Sequence, residues 1–211
     1  PRSTPKPSSA ASDVYKRQVM DDISGLNNRV FQLLSQKSSK AAVDLLGMRL
    51  STNFNGKFTE ILITETEAFG RANTDQMSLA TQLSRKIPKT LPLGPPSILI
   101  MKSYGSNKSL YLLTSKKGTC EAVLIRSGKI LLGKNYIEVR RKTKMKTDNL
   151  TGPGNVTKAL GITLKNDGDN ILDGPISLSP RIHPADKAIA KQRKNSKPRD
   201  KNLWRFSLIL K

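Results

Sequence analysis

The pattern of hydrophobic and polar positions predicts two helices followed by a β-hairpin. Apolar residues cluster at positions 30–34, and a second run at 41–46 is followed by Gly47, which is suited to end a helix. Residues 48–52 are typical of a strand. Asn55-Gly56 is a strong signal for a tight turn between antiparallel strands, so a second strand is expected directly after it.

The segment after this turn, residues 58–69, is predicted to be a strand whose two faces differ. In an extended chain alternate side chains point to the same side, so one face carries two isoleucines, two glutamates and a phenylalanine: Ile61, Ile63, Glu65, Glu67 and Phe69. The simplest interpretation is that the strand leaves the core at Ile63 and that both carboxylates are solvated. The alternative is that this face runs into a cleft.

More strands are expected after a proline-rich, loop-like region at 70–96. Glycines separate a series of short apolar runs at spacings typical of an antiparallel sheet, namely 97–101, 110–114, 122–127 and 136–139. Residues 203–210 are expected to form a last strand. We expect an α+β fold, a single domain with a curved antiparallel β-sheet and flanking helices.

The two ends of the chain differ in composition from its centre. Residues 1–20 are rich in proline and serine, and we expect a disordered basic tail there. The folded domain is expected to span residues 21–211. Within it, a segment around 184–202 is basic and partly loose.

Charge indicates the class of partner. The chain has 37 Lys and Arg residues against 16 Asp and Glu residues, a formal net charge of +21. Such an excess favours a polyanion, and nucleic acid first. No run approaches the roughly 18 consecutive apolar residues of a membrane span, so no membrane partner is expected. Charge alone fits both a DNA-binding protein and a structural RNA-binding protein.

The scarcity of cysteine and histidine excludes several kinds of chemistry. Cys120 is the only cysteine and His183 the only histidine in the chain. An intramolecular disulfide and a zinc site of the usual composition are therefore excluded, and no metal or cofactor is expected. Carboxylates, lysines and hydroxyls remain as candidates for catalysis. A lone thiol fits a reducing compartment, and no secretion signal is recognisable, so an intracellular protein is expected.

A glycine-rich turn at residues 151–154 predicts the start of a short helix. Asn155 is expected to be its N-cap and Gly161 to end it. The backbone amides around Gly152, Gly154 and Asn155, with Lys158 close by, are suited to contact a phosphate. The alternative is that this helix start is only a cap.

Several segments together resemble the alkyladenine (3-methyladenine) DNA glycosylases. Four matches occur in that family's order: LLGMRL at 45–50, TETEAF at 64–69, AVLIR at 122–126, and the stretch from TGPG at 151–154 to KALGI at 158–162. A Tyr-Gly pair at 104–105 lies at about the expected distance between the second and third. Shorter echoes follow at 173–175, 180–182 and 204–206. The resemblance spans about residues 41–208.

The resemblance implies a monofunctional glycosylase of base excision repair, acting as a monomer on double-stranded DNA that contains alkylated or deaminated purines. Such an enzyme flips the damaged nucleotide out of the base stack. Hydrolysis of the N-glycosidic bond develops positive charge on the sugar, so one carboxylate can both accept the water's proton and stabilise that charge. An alkylated purine already carries positive charge and leaves readily, so a second, acidic carboxyl is less needed.

The resemblance also implies residue roles. The general base of the family's motif falls on Glu67, and Arg126 matches the arginine that helps to hold the water and favours an ionised Glu67. Phe69 matches the aromatic residue, normally tyrosine, that stacks on the flipped base. Tyr104 matches the tyrosine that is inserted between bases. The alternatives are a surface ion pair for Arg126, a core position for Phe69 and a turn position for Tyr104.

Two positions of the expected base pocket depart from the family's pattern. Ser78 or Leu79 stands where the family usually has a histidine that bonds the flipped nucleotide, and Met101 replaces a second aromatic residue. A pocket of Phe69, Met101 and Ser78 has fewer rings and fewer hydrogen bonds, which leaves the lesion range open. A catalytically weak or inactive DNA-binding relative and a structural RNA-binding protein therefore remain as alternatives.

Overall fold

An antiparallel sheet forms the centre of the fold. The computed structural model describes residues 9–83, 86–103, 105–181, 187–193 and 202–209, with side chains from residue 16 onwards. The strands in these ranges are β1 (Arg49–Phe54), β2 (Lys57–Phe69), β3 (Ile98–Lys102), β4 (Lys108–Thr114), β5 (Glu121–Leu132), β6 (Asn149–Thr151), β7 (Ile176–Ser179), β8 (Ala188–Lys191) and β9 (Arg205–Leu208). Their order is β3-β4-β5-β2-β1-β7, with β6 beside β5 and β9 between β2 and β8.

Helices flank this curled sheet, so the predicted α+β class is confirmed. They are α1 (Ser9–Leu34), α2 (Ser38–Asp44), α3 (Leu79–Gln82), α4 (Lys134–Arg141) and α5 (Pro153–Leu160). Within the described residues, no helix is both long enough and apolar enough to cross a membrane.

The predicted hairpin is confirmed. β1 and β2 pair from Arg49 with Leu62 down to Phe54 with Lys57. The turn residues Asn55 and Gly56 have φ angles of 54° and 73°, the left-handed values that a two-residue hairpin turn requires. The turn chemistry therefore sets the register of β1 against residues 57–62 of β2.

The sheet separates two apolar clusters. The larger cluster joins the sheet to α1, α2 and α5 and includes Ile61, Ile63, Ala68 and Ile125. The smaller one includes Phe69, Tyr111 and Leu124. Because side chains alternate along each strand, these two clusters lie on opposite faces.

A pair of β-bulges corrects the predicted face of β2. The ladder between β2 and β5 has three register shifts, and the two at the centre of β2 skip Thr64 on one strand and Arg126 on the other. Ile63 and Ala68 both lie in the larger cluster, whereas Phe69 lies in the smaller one. The prediction that the isoleucines share a face with Glu65, Glu67 and Phe69 is therefore wrong, because an extra residue shifts the alternation by one.

Three local predictions are also corrected. Residues 136–139, predicted as a strand from their β-branched and aromatic side chains, belong to α4, where Ile137 is buried and Val139 is exposed. The N-cap of α5 is Gly152 rather than Asn155, because the Pro153 ring already fits the first helical position. Residues 9–20, expected to be disordered, form the start of α1, since the prolines of the tail end at Pro7. Residues 1–8 lie outside the described part of the chain.

Gly128 is expected to be essential to the paired bulges. A Cβ atom at this position would lie 2.6 Å from Cδ1 of Ile61 and 2.9 Å from the carbonyl oxygen of Leu62. Gly128→Ala should lower the free energy of unfolding by about 1–3 kcal/mol, measured by urea denaturation. Gly25→Ala is the control, since a Cβ there meets nothing within 4 Å. Equal stability of the two variants would contradict this account.

Candidate active site

Three neighbouring strands place charged side chains on the face of the sheet that carries the smaller cluster. Beyond the bulges, Glu65 and Glu67 of β2 face the same side as Arg126 and Ser127 of β5, while β9 pairs Arg205 opposite Glu67. The bulges create this grouping because they put the consecutive residues Arg126 and Ser127 beside both glutamates. The backbone register, rather than any loop, therefore positions the site.

Glu67 and Arg126 form a buried ion pair. A guanidinium nitrogen of Arg126 donates to Oε2 of Glu67 at 3.1 Å. The two residues are only 3% and 8% exposed. The interpretation of both glutamates as solvated is therefore wrong. A carboxylate held in this way, with its charge balanced by a fixed cation, can accept a proton from water.

Glu65 supports the pair from the other side. Its carboxylate accepts hydrogen bonds from the Ser127 hydroxyl at 2.7 Å and from Nε of Arg205, and Nε of Arg126 lies 3.7 Å from its Oε1. Burial raises the pKa of Glu65, but the hydrogen bonds from Ser127 and Arg205 and the nearby positive charges outweigh burial and lower the pKa overall. Arg126 is thus held between two carboxylates.

Aromatic rings line the same face beside Glu67. The rings of Phe69 and Tyr111 meet edge to face, with centroids 5.8 Å apart. Leu79 is buried in this cluster and Met101 packs against it. The smaller cluster therefore brings together Phe69 and Met101, two of the three residues assigned to the base pocket. It lies near the Glu67 end of β2.

Ser78 lies in the loop that follows β2 and is buried. Its hydroxyl accepts a hydrogen bond from the amide of Thr81 at 3.0 Å and so caps α3. In this arrangement the side chain has a structural role, and its place in the base pocket stays a prediction.

The loop after β2 is fixed by a buried ion pair that the sequence did not predict. Arg193 donates to both carboxylate oxygens of Asp75, at 2.8 and 2.7 Å, and to the carbonyl oxygen of Ala68. Its guanidinium lies 5.4 Å from the ring centroid of Phe69 and 5.3 Å from that of Trp204. Arg193 stands in a basic segment with many similar cations, so no local pattern distinguishes it. The one signal in the sequence for this contact was Trp204, which lies in one of the family-like segments and whose ring Arg193 contacts.

Three of the predicted phosphate-binding residues, Gly152, Gly154 and Asn155, lie at the start of α5, whereas Lys158 lies in its last turn. Gly154 packs against the side chain of Asn107. Asn155 donates to the carbonyl oxygen of Thr151 at 2.8 Å and accepts from Arg141 at 3.3 Å. Lys158 is exposed. Tyr104, predicted to enter the DNA, lies outside the described residues.

Comparisons with known proteins agree with the segments quoted from the sequence. The profile of a family described as Methylpurine-DNA glycosylase (MPG) matches residues 32–209. A protein of Francisella tularensis is 29% identical over 151 residues, which cover 72% of this chain and 77% of that protein. A protein of Methanoculleus marisnigri is 30% identical over 143 residues, covering 68% and 73%. One of Chlamydia felis is 31% identical over 153 residues, covering 71% and 75%. All three carry the name 3-methyladenine DNA glycosylase as a provisional assignment.

We expect the pair of Asp75 and Arg193 to dominate acid sensitivity. Burial raises the pKa of Asp75, but the hydrogen bonds from Arg193 and from the amides of Gly70 and Met77 lower it overall. A lowered carboxyl pKa stabilises the fold at neutral pH, and this contribution is lost from about pH 5 downwards. Asp75→Asn should lower the free energy of unfolding at pH 7 by about 3–5 kcal/mol, because the buried guanidinium of Arg193 loses the carboxylate charge of Asp75.

Urea denaturation between pH 3 and pH 7 measures both effects. In Asp75→Asn the loss of stability towards low pH should be smaller than in the wild type. Asp148→Asn is the control, because Asp148 pairs with Lys134 at the surface, where ion pairs contribute little. A stability of Asp75→Asn equal to that of the control at pH 7 would show that the buried pair is not required.

Proposed function

Because the chain belongs to the methylpurine-DNA glycosylase family, we propose that it hydrolyses the N-glycosidic bond of alkylated or deaminated purines in double-stranded DNA, with Glu67 as the group that activates water. The observation that carries this proposal is the buried contact of Glu67 with Arg126 at 3.1 Å. The family supports a DNA glycosylase. The lesion, the flipped base and the role of each residue are our inference.

The proposed reaction needs only groups that this chain provides. Water attacks the anomeric carbon of the sugar, the bond to the base breaks, and Glu67 takes the proton that water loses. The same carboxylate lies close to the positive charge that develops on the sugar. Arg126 fixes the carboxylate and keeps its charge balanced while no substrate is bound.

The base must leave the stack before water can reach the sugar. We assign Phe69, Met101 and Ser78 to the pocket that receives it and Tyr104 to the space it vacates. Gly152, Gly154, Asn155 and Lys158 are assigned to the DNA backbone, since a helix start with a nearby lysine suits a phosphate. The net charge of +21 supports a search along DNA inside the cell, and we propose that the protein works as a monomer.

The replacement of Glu67 tests the catalytic role. Glu67→Gln keeps the size and the hydrogen-bonding capacity of the side chain but cannot accept the proton from water, so release of free base from alkylated duplex DNA should fall by at least about 100-fold. Circular dichroism and binding to DNA should stay unchanged. Glu138→Gln on α4, which removes a carboxylate from another part of the fold, should keep wild-type activity.

Each other outcome has a distinct meaning. Base release by Glu67→Gln at the wild-type rate would remove Glu67 from its role. Binding of damaged DNA by the wild type without any release of base would support the non-catalytic relative instead. Preference for RNA over duplex DNA, without preference for lesions, would support the RNA-binding alternative.

The salt dependence of DNA binding tests the assignment of Lys158. Each neutralised phosphate contributes about 0.9 to the slope of log K against log salt concentration. Lys158→Ala should therefore reduce the slope by about 1, measured by fluorescence anisotropy between 50 and 200 mM salt, roughly the range where such contacts are resolved. Lys158→Arg keeps the charge and should keep the slope. An unchanged slope in the alanine variant would exclude a phosphate contact.

A further inference from the structure

Arg126 compensates the charge of two carboxylates rather than one. Its guanidinium donates to Oε2 of Glu67 at 3.1 Å, whereas its Nε lies 3.7 Å from Oε1 of Glu65. Hydrogen bonds from N–H to oxygen are about 2.9 Å long, so the second contact is electrostatic only. Within the described residues, this buried Nε has no hydrogen-bond partner. Glu65 therefore acts on Arg126 through its charge and not through a hydrogen bond.

Two further side chains hold Glu65 in its ionised form. The hydroxyl group of Ser127 donates to one carboxylate oxygen at 2.7 Å, and Nε of Arg205 donates to the other. Burial alone would raise the pKa of Glu65, but these hydrogen bonds and the charges of Arg205 and Arg126 lower it overall. Glu65 is therefore a fixed negative charge at neutral pH, and nothing in the proposed reaction uses it.

The charges around Glu67 balance one another in the part of the chain that the structure describes. The titratable groups near it are Arg126 on β5, Arg205 on β9, Glu65 on β2 itself and Tyr111 on β4, and the loop after β2 adds the neutral pair of Asp75 and Arg193. The phenol of Tyr111 is uncharged, because burial and the charge of Glu67 raise its pKa to about 12, although Arg126 lowers it. Two carboxylates thus face two guanidinium groups, and loss of the charge on Glu65 would leave an excess of positive charge.

We propose that Glu65 is a positioning residue that acts through Arg126, sharing its charge so that Glu67 stays basic enough to take a proton from water. This proposal rests on the proposed function, because it concerns how the same carboxylate works. It gives the buried carboxylate of Glu65 a part in the reaction as well as in the fold.

A carboxylate that is paired too strongly is a poor base. A guanidinium beside a carboxylate stabilises its charged form and weakens its attraction for a proton. A general base works best when its proton affinity suits the working pH, so the undivided charge of Arg126 on Glu67 would slow the reaction. Glu65 offsets part of that charge from the other side of Arg126. Its own negative charge also favours the positive charge that develops on the sugar.

Glu65→Gln tests this proposal, because it removes the charge and keeps the size of the side chain. The amide can still accept from Arg205 and can donate to Ser127, and no hydrogen bond to Arg126 is lost. Single-turnover rates of base release from alkylated duplex DNA are measured from acid to alkaline pH. The acid limb of the profile should move to lower pH by about one pH unit, and the rate above that limb should fall about tenfold.

Two controls separate the charge of Glu65 from its place in the fold. Glu65→Asp keeps the charge on a shorter side chain, so its acid limb should stay at the wild-type pH. Glu60→Gln is the matched control on the same strand, because Glu60 is 6% exposed and also accepts from a serine, Ser51, at 2.8 Å. It should change neither the limb nor the rate. An acid limb of Glu65→Gln that stays in place, with or without slower release, or that moves to higher pH would overturn the proposal.

A titration separates this proposal from the catalytic one. A wild type that releases no base would reject the proposed function, and the effect of Glu65 on Glu67 is then measured without catalysis. The carboxyl carbon of Glu67, assigned by comparison with Glu67→Gln, is followed by NMR as the pH is lowered. Its titration midpoint should lie about one pH unit lower in Glu65→Gln than in the wild type. An equal or higher midpoint would overturn the role of Glu65.

Discussion

The buried contact between Glu67 and Arg126 is the constraint on which the proposed site depends. Removing a carboxylate from water costs several kcal/mol unless a partner compensates for its charge, so Glu67 can be 3% exposed only where a cation is fixed beside it. The two bulges supply that cation, because they put Arg126 and Ser127 on the side of the sheet that Glu65 and Glu67 face. Gly128 allows the strands to approach closely at this point.

The surrounding contacts keep this arrangement rigid. Ser127 and Arg205 hold Glu65, and Glu65 holds the far side of Arg126. Arg193 ties the loop after β2 to the segment that follows β8 through Asp75. Polar groups that are fixed before the substrate arrives stabilise developing charge without further reorganisation. The large positive charge of the chain acts separately from this site. It attracts DNA irrespective of sequence and does not distinguish one lesion from another.

The sequence predicts most of the fold because strong local signals specify it. The Asn55-Gly56 turn determines the hairpin, and the glycine-separated runs indicate the sheet. Segments such as TETEAF indicated the family, which the match of the family profile confirms. The burial of Glu67 was not predictable from alternation, because a bulge is a property of two strands and cannot be read from one. The α4 helix was missed because Tyr136, Ile137 and Val139 favour strands. Arg193 was missed because its partner Asp75 is 118 positions away in the chain.

The central claim is that Glu67 and Arg126 act as one unit, and a double-mutant cycle on the single-turnover rate of base release tests it most directly. Arg126→Met is measured in the wild type and in Glu67→Gln. We predict that Arg126→Met reduces the rate by at least about 100-fold in the wild type but changes it little in Glu67→Gln, since groups that act together are strongly non-additive. Losses that add in the double variant would show that the two residues act independently and would contradict this account.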